Sequence, residues 1–133
     1  MAVLMDADVF VEAERGRFDL IGWLEHHAEE EIAVAAISVA ELWRGVERAA
    51  VTDHPIRAKF VERLIETFQV VPYTEGTAKE HARLWVEVER TGFMVGAHDV
   101  LLAAIAIERG DTVATFNARR FALIPNLKVI QLS

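Results

Sequence analysis

The stretch that decides the fold is residues 96–115, Gly96-Ala97-His98-Asp99-Val100-Leu101-Leu102-Ala103-Ala104-Ile105-Ala106-Ile107-Glu108-Arg109-Gly110-Asp111-Thr112-Val113-Ala114-Thr115. Every residue from Val100 to Ile107 is apolar, so a helix built here has no polar face and belongs in an interior. The run is too short for a membrane span, which needs about 18 apolar residues. Gly110 supplies the left-handed stop and bounds a helix over 98–109. Thr112-Val113-Ala114-Thr115 then reads as a short buried strand. A buried helix leading into a buried strand is the repeating unit of a parallel sheet covered on both faces.

The same alternation extends outward. Ala2-Val3-Leu4-Met5 reads as a strand ended by Asp6, followed by helical stretches over 7–14 and 18–27, the second with Leu20, Trp23 and Leu24 on one face. Ile32-Ala33-Val34-Ala35 is the next strand, and Ser38 opens a helix to about residue 48. Asp53 is placed as the N-cap of a helix with Pro55 in its tolerant first turn, carrying Ile56, Phe60, Leu64 and Phe68 at a spacing of four. Val70-Val71 is a short strand, 75–90 a helix closed by Gly92, and Lys128-Val129-Ile130 a last strand. The expected order is β-α-α-β-α-α-β-α-α-β-α-β. It describes an α/β fold, a three-layer α/β/α sandwich around a mainly parallel sheet of four to five strands. In such sheets ligands bind beyond the carboxyl ends of the strands, at a topological switch point.

At 133 residues, 53% hydrophobic and 26% charged, the chain is expected to be one domain over 1–133 with a real core, and disorder is excluded. There is no cysteine, which removes disulfides and thiolate zinc sites and fits a reducing, cytoplasmic setting. The N-terminal MAVLMDADVF lacks the cationic head and small-residue cleavage site of a signal peptide. The net charge of −7 argues against nucleic-acid binding through a basic patch. It fits either simple solubility or carboxylates gathered around a cation.

The acids at strand ends separate those two readings. Asp6 follows the first strand, where it or Asp8 serves as helix N-cap, and one cap needs only one of them. Ser38 and Glu41 match an S-x-x-E capping box, yet Glu41 also faces the rim on which Asp6 lies. Asp99 heads the buried helix, where the macrodipole stabilises a carboxylate but burial penalises it unless it is paired. Asn117 follows the fourth strand, either capping a turn over 118–121 or offering a neutral oxygen. Three acids and an amide at strand ends suggest a hard-cation site of the Mg²⁺ or Mn²⁺ type, which also lets an acidic protein attract phosphate.

These segments carry a family resemblance. Residues 3–10, Ile37-Ser38-Val39-Ala40-Glu41-Leu42-Trp43-Arg44-Gly45, residues 95–106 and Thr115-Phe116-Asn117-Ala118-Arg119-Arg120-Phe121 resemble, in order, four motifs of PIN-domain ribonucleases, specifically the VapC-type toxins of toxin–antitoxin pairs. The resemblance covers nearly the whole chain. It implies Mg²⁺- or Mn²⁺-dependent endonucleolytic cleavage of RNA, with Asp6, Glu41 and Asp99 catalytic and Asp6, Glu41, Asp99 and Asn117 at the metal. It further implies a homodimer and hetero-oligomerisation with a cognate VapB-type antitoxin that blocks the site; no membrane partner is expected, since no apolar run is long enough for a span. Phe10, Phe18, Trp23 and Trp43 are candidates for those apolar surfaces, with core packing as the simpler use. Arg44, Arg119 and Arg120 are candidates for phosphate contact, or else part of a solvated face. Many relatives carry an acid in the fourth motif, either at the position of Asn117 or at that of Arg120; here neither is acidic, so three carboxylates remain for the metal. His98 is read as a capping or packing histidine rather than a general base.

Three rivals remain open. Leu4-Met5-Asp6-Ala7-Asp8-Val9 fits the opening of a haloacid-dehalogenase-like phosphatase, but the late acidic pair that chemistry needs is missing. A receiver domain would place its phosphoacceptor after a central apolar strand, and Asp53 lacks that context. A PIN-like RNA- or protein-binding module without catalysis would keep the fold, but the joint retention of Asp6, Glu41 and Asp99 weighs against it.

Overall fold

In a computed structural model of the chain, which describes residues 2–133, five strands form one sheet. The elements in order are β1 (Ala2–Met5), α1 (Ala7–Glu14), α2 (Leu20–His26), β2 (Glu31–Ala35), α3 (Ala36–Arg48), α4 (His54–Thr67), β3 (Gln69–Val71), α5 (Glu75–Arg90), α6 (Ala97–Arg109), β4 (Thr112–Thr115) and β5 (Lys128–Gln131), with 3₁₀ turns over Val51–Asp53 and Ala118–Phe121. The strand order is β3-β2-β1-β4-β5 and every pairing is parallel. The chain leaves β1 to build one half of the sheet and returns to its other side at β4, so the order reverses between β1 and β4.

The strands alternate as the pleat requires. Leu4, Ala33, Ala35, Val71 and Val113 face one core, which is roofed by Leu84 and Val88 of α5, by α6 from Val100 to Ala106, and by Phe121. Val3, Met5, Val34 and Ala114 face the other, with Val9 and Phe10 of α1, Leu42 and Val46 of α3, and Val61 and Leu64 of α4. Helices thus cover both faces, and the expected three layers are present. Buried residues of α6 include Val100, Leu102, Ala103, Ala104, Ile105 and Ala106, and five of those run consecutively, which only a helix enclosed on several sides permits. Gly110 caps it at φ 75°, a left-handed position, and the Asp111 N–H donates to the Ala106 carbonyl at 2.8 Å, turning the chain at once into β4.

Two local expectations are corrected. The helix after β2 begins at Ala36, two residues before Ser38, and has no side-chain cap. Ser38 is buried inside its first turns and its hydroxyl finds no hydrogen-bond partner among the described residues. The capping box does not form, because Ala35 leaves the sheet directly into helix and places Glu41 a full turn beyond the start. Asp53 precedes α4 with Pro55 in the first turn, but its side chain caps nothing, since the residue closes a 3₁₀ turn and sits in helical conformation. Phe10 is wholly buried and is core. Phe18, Trp23 and Trp43 are partly buried against the same cluster.

Candidate metal centre

Asp6 is the first residue past β1, and its N–H still donates to the Ala114 carbonyl at 3.0 Å. The β1–β4 register pairs Met5 with Ala114, so the next residues along, Asp6 and Thr115, lie side by side. The Thr115 hydroxyl reaches Asp6 Oδ2 at 3.0 Å and Asp8 Oδ2 at 2.9 Å, sharing its single proton between two carboxylates. Asp6 Oδ1 accepts from the Ala7 N–H at 2.8 Å and thereby caps α1. The cap is therefore Asp6, and Asp8 is released to face β4, where the Phe116 N–H also donates to it at 3.1 Å. Asp8 Oδ1 is buried and has no hydrogen-bond partner among the described residues.

Asp99 arrives from the opposite direction. Helix α6 leads into β4, so its N-terminus stands at the carboxyl edge of the sheet, above the same crevice. A Cβ at Gly96 would lie 3.1 Å from Asp99 Oδ2, so the absence of a side chain there leaves room for the carboxylate to fold over the helix start. Glu41 projects from α3 and its Oε1 lies 3.1 Å from His98 Nδ1. His98 is therefore neither a cap nor a packing residue: it bridges α6 to α3.

Between these acids lies Arg120, on the 3₁₀ turn after β4. Its Nη2 donates to Asp6 Oδ2, and its Nε lies 3.7 Å from Asp99 Oδ1. The turn is held in place by Gln131 of β5, whose Oε1 accepts from the Ala118 N–H at 2.8 Å and whose Nε2 donates to the Phe116 carbonyl at 2.7 Å, and by Phe121, which is buried in the core. Asn117 is exposed at the mouth of this turn.

The electrostatics are those of crowded anions. Burial is the largest cause of the upward displacement of the Asp99 pKa; Asp6 and Glu41 push it the same way, while Arg120 and His98 oppose them. Asp8 is raised first by burial and then by Asp6, against hydrogen bonds from Thr115 and Phe116 and the charge of Arg120. The structure thus brings Asp6, Asp99 and Glu41 to one crevice and adds Asp8, Thr115 and Arg120. Asp8 was recognisable in the sequence as the second of two acids competing for one cap. Thr115 gave no such signal, because its role comes from register; Arg120 stood out in the sequence as a basic residue where relatives carry an acid, but its place among the carboxylates comes from the turn. Among the described residues no three His, Asp or Glu side chains form a closed ligand set; the guanidinium stands among the acids instead.

A hard divalent cation suits this arrangement: the donors are carboxylate oxygens, and Asp8 holds a buried oxygen with no partner. A doubly wound parallel sheet with acids converging at its β1/β4 switch point is the architecture of one class of small α/β nucleases. The chain belongs to the PIN-domain family, whose model matches residues 3–127. Within it, the chain is 28% identical over 134 residues to Ribonuclease VapC1 of Rickettsia felis, covering 100% of this chain and 98% of that one. In three dimensions it resembles VapBC2 of Rickettsia felis, solved bound to a promoter DNA fragment, with a TM-score of 0.91 at 24% identity and all of both chains covered. It also resembles VapBC-5 of Mycobacterium tuberculosis, a member of the VapBC family of toxin–antitoxin systems, with a TM-score of 0.77 at 25% identity over 99% of this chain and 100% of that one. Among the described residues no helix is long and apolar enough to cross a membrane.

Proposed function

We propose that this chain is a divalent-metal-dependent endoribonuclease, the toxin of a toxin–antitoxin pair, acting on cellular RNA in the cytoplasm and silenced by a VapB-type antitoxin. The observation that carries the reading is the convergence of Asp6, Asp8 and Asp99 on one crevice at the β1/β4 switch point, with Glu41 at its edge. The match of a relative named a ribonuclease along the whole chain supports it. Asp6 and Asp99 would hold the metal, Mg²⁺ or Mn²⁺, with Asp8 beside them and Glu41 and the exposed Asn117 contributing from the rim. When bound, such an ion stabilises charge on the phosphate and lowers the pKa of its water.

The protein's own groups do the remaining work. Glu41, held by His98, orients a water at the edge of the crevice and accepts a proton from it. Thr115 fixes Asp6 and Asp8 so that neither carboxylate swings away from the crevice. The chain is proposed to work as a homodimer and to join its antitoxin in a hetero-oligomer. Trp85, Phe93 and Met94 support a covered surface, being exposed by 53%, 65% and 98% on α5 and the loop after it, an apolar grouping of the kind partner chains cover.

The test is incubation of the purified protein with total cellular RNA, with and without Mg²⁺ or Mn²⁺, beside an Asp99→Asn variant. Discrete fragments that require both the metal and Asp99 are expected. If no metal-dependent cleavage occurs in RNA from several sources, the chain is a PIN-fold binding module and the catalytic reading is wrong.

A further inference from the structure

The least expected group in the crevice is a cation. We propose that Arg120 is a built-in counter-ion that competes with the divalent metal for Asp6 and Asp99, so that metal loading requires the guanidinium to leave. This rests on the metal-dependent reading above and assigns a role to a residue where an acid was expected from the family pattern.

Three observations support a displaceable guanidinium rather than a permanent structural bridge. Its hold on the acids is incomplete. Nη2 donates to Asp6, but the second contact, Nε to Asp99, spans 3.7 Å, and Nε is buried without a hydrogen-bond partner among the described residues. A guanidinium matched to its acids would form two parallel short bonds to one carboxylate. Here it supplies charge to two carboxylates while leaving its own donors partly unused. The side chain also has a way out, since it is 35% exposed; the Phe121 ring, 5.2 Å from its guanidinium carbon, adds only a weak contact to its present position. Finally, its backbone is pinned by Gln131 and the buried Phe121, so release moves the side chain alone and keeps it beside the crevice.

The consequence is a linked exchange. A single positive charge with poor geometry now offsets the repulsion among Asp6, Asp8 and Asp99. A divalent ion offers twice the charge to the same oxygens, and each cation weakens the other's hold by the same factor. Arg120 therefore raises the metal concentration at which the site fills, while holding the metal-free protein together.

The experiment is calorimetric titration of Mn²⁺ into the metal-free full-length chain, for the wild type and for Arg120→Met, Arg120→Lys and Asp99→Asn, with melting in a chelator measured alongside. Arg120→Met is expected to bind Mn²⁺ roughly two- to fivefold more tightly, the size of one partly exposed ion pair, and to melt lower than wild type without metal. Arg120→Lys, with a shorter reach and no fork, is expected to gain part of that affinity, and it carries the test if Arg120→Met does not fold. A merely structural arginine gives the opposite sign, because a loosened site binds metal less well. Unchanged or weaker Mn²⁺ binding in the arginine variants, with Asp99→Asn still abolishing it, overturns the proposal and leaves the nuclease reading standing. Absence of Mn²⁺ binding in every protein, wild type included, overturns both.

Discussion

At the scale of the residue, the proposed chemistry depends on carboxylates that neighbouring atoms hold in uncomfortable places. Asp99 is the sharpest case: it heads a buried helix, its pKa is raised by burial and by Asp6 and Glu41, and Arg120 is its nearest cation. Asp99→Asn and Asp6→Asn keep the shape and remove the charge. Each is expected to lower RNA cleavage by at least about a hundredfold, with circular dichroism unchanged; cleavage at the wild-type rate by either would remove that residue from the site. Asp8 yields a prediction about pH. Its folded-state pKa lies above the ordinary 3.8, so as pH rises past 3.8 the unfolded chain gives up the proton first and the folded state loses stability until it too is deprotonated. Asp8→Asn retains an oxygen for Thr115 and Phe116 and has no proton to lose. In chelator at neutral pH it is expected to be more stable than wild type, with the gap closing as pH falls below 3.8, read from urea melts at stepped pH. A gap that stays constant across that range would show that Asp8 carries no such penalty.

At the scale of the element, most of the architecture was legible in the sequence. The unbroken apolar run of α6, the short apolar strands and the glycine after residue 109 determine period, length and burial, and the elements appear where those patterns place them. The failures are at helix starts. Ser38 and Glu41 have the spacing of a capping box, but α3 begins two residues earlier; capping residues reveal a helix only if the chain leaves the preceding strand where the motif says, and here Ala35 passes from strand to helix without a loop. Asp53 fails for a related reason, being already in a 3₁₀ turn. The energetic weight of α6 is testable. Ile105 is 1% exposed between the sheet and α5, and Ile105→Ala is expected to lower unfolding free energy by about 2–5 kcal/mol, against a total of roughly 5–15 kcal/mol for a domain of this size. Ile56→Ala, at a position 74% exposed, is expected to change it by less than about 0.5 kcal/mol. Equal losses in the two variants, measured by urea denaturation, would contradict the assignment of the core.

At the scale of the whole molecule, the parallel sheet does what none of its elements does alone. It sends β1, β4 and the start of α6 to one edge from chain positions about a hundred residues apart, and Asp6, Thr115 and Asp99 meet there. A ligand bound only by the folded state stabilises it by mass action, about 2.7 kcal/mol at a hundred times its dissociation constant. Mn²⁺ is therefore expected to raise the wild-type melting temperature in a concentration-dependent way and to leave that of Asp99→Asn unmoved; an equal rise in both would place the ion elsewhere. The sequence by itself determined the layered α/β class, the strands and the buried helix, because hydrophobic period is a local property; it put Asp6 and Asp99 forward as candidates by their places at a strand end and a helix head, and Glu41 through the family resemblance. Only the tertiary structure decided the all-parallel strand order, the bridge from His98 to Glu41, the sharing of the Thr115 proton by two aspartates and the place of Arg120 among the acids. Those depend on register and on the packing of residues far apart in the chain, where a shift of one position along β4 would turn Thr115 to the other face and take it away from both carboxylates.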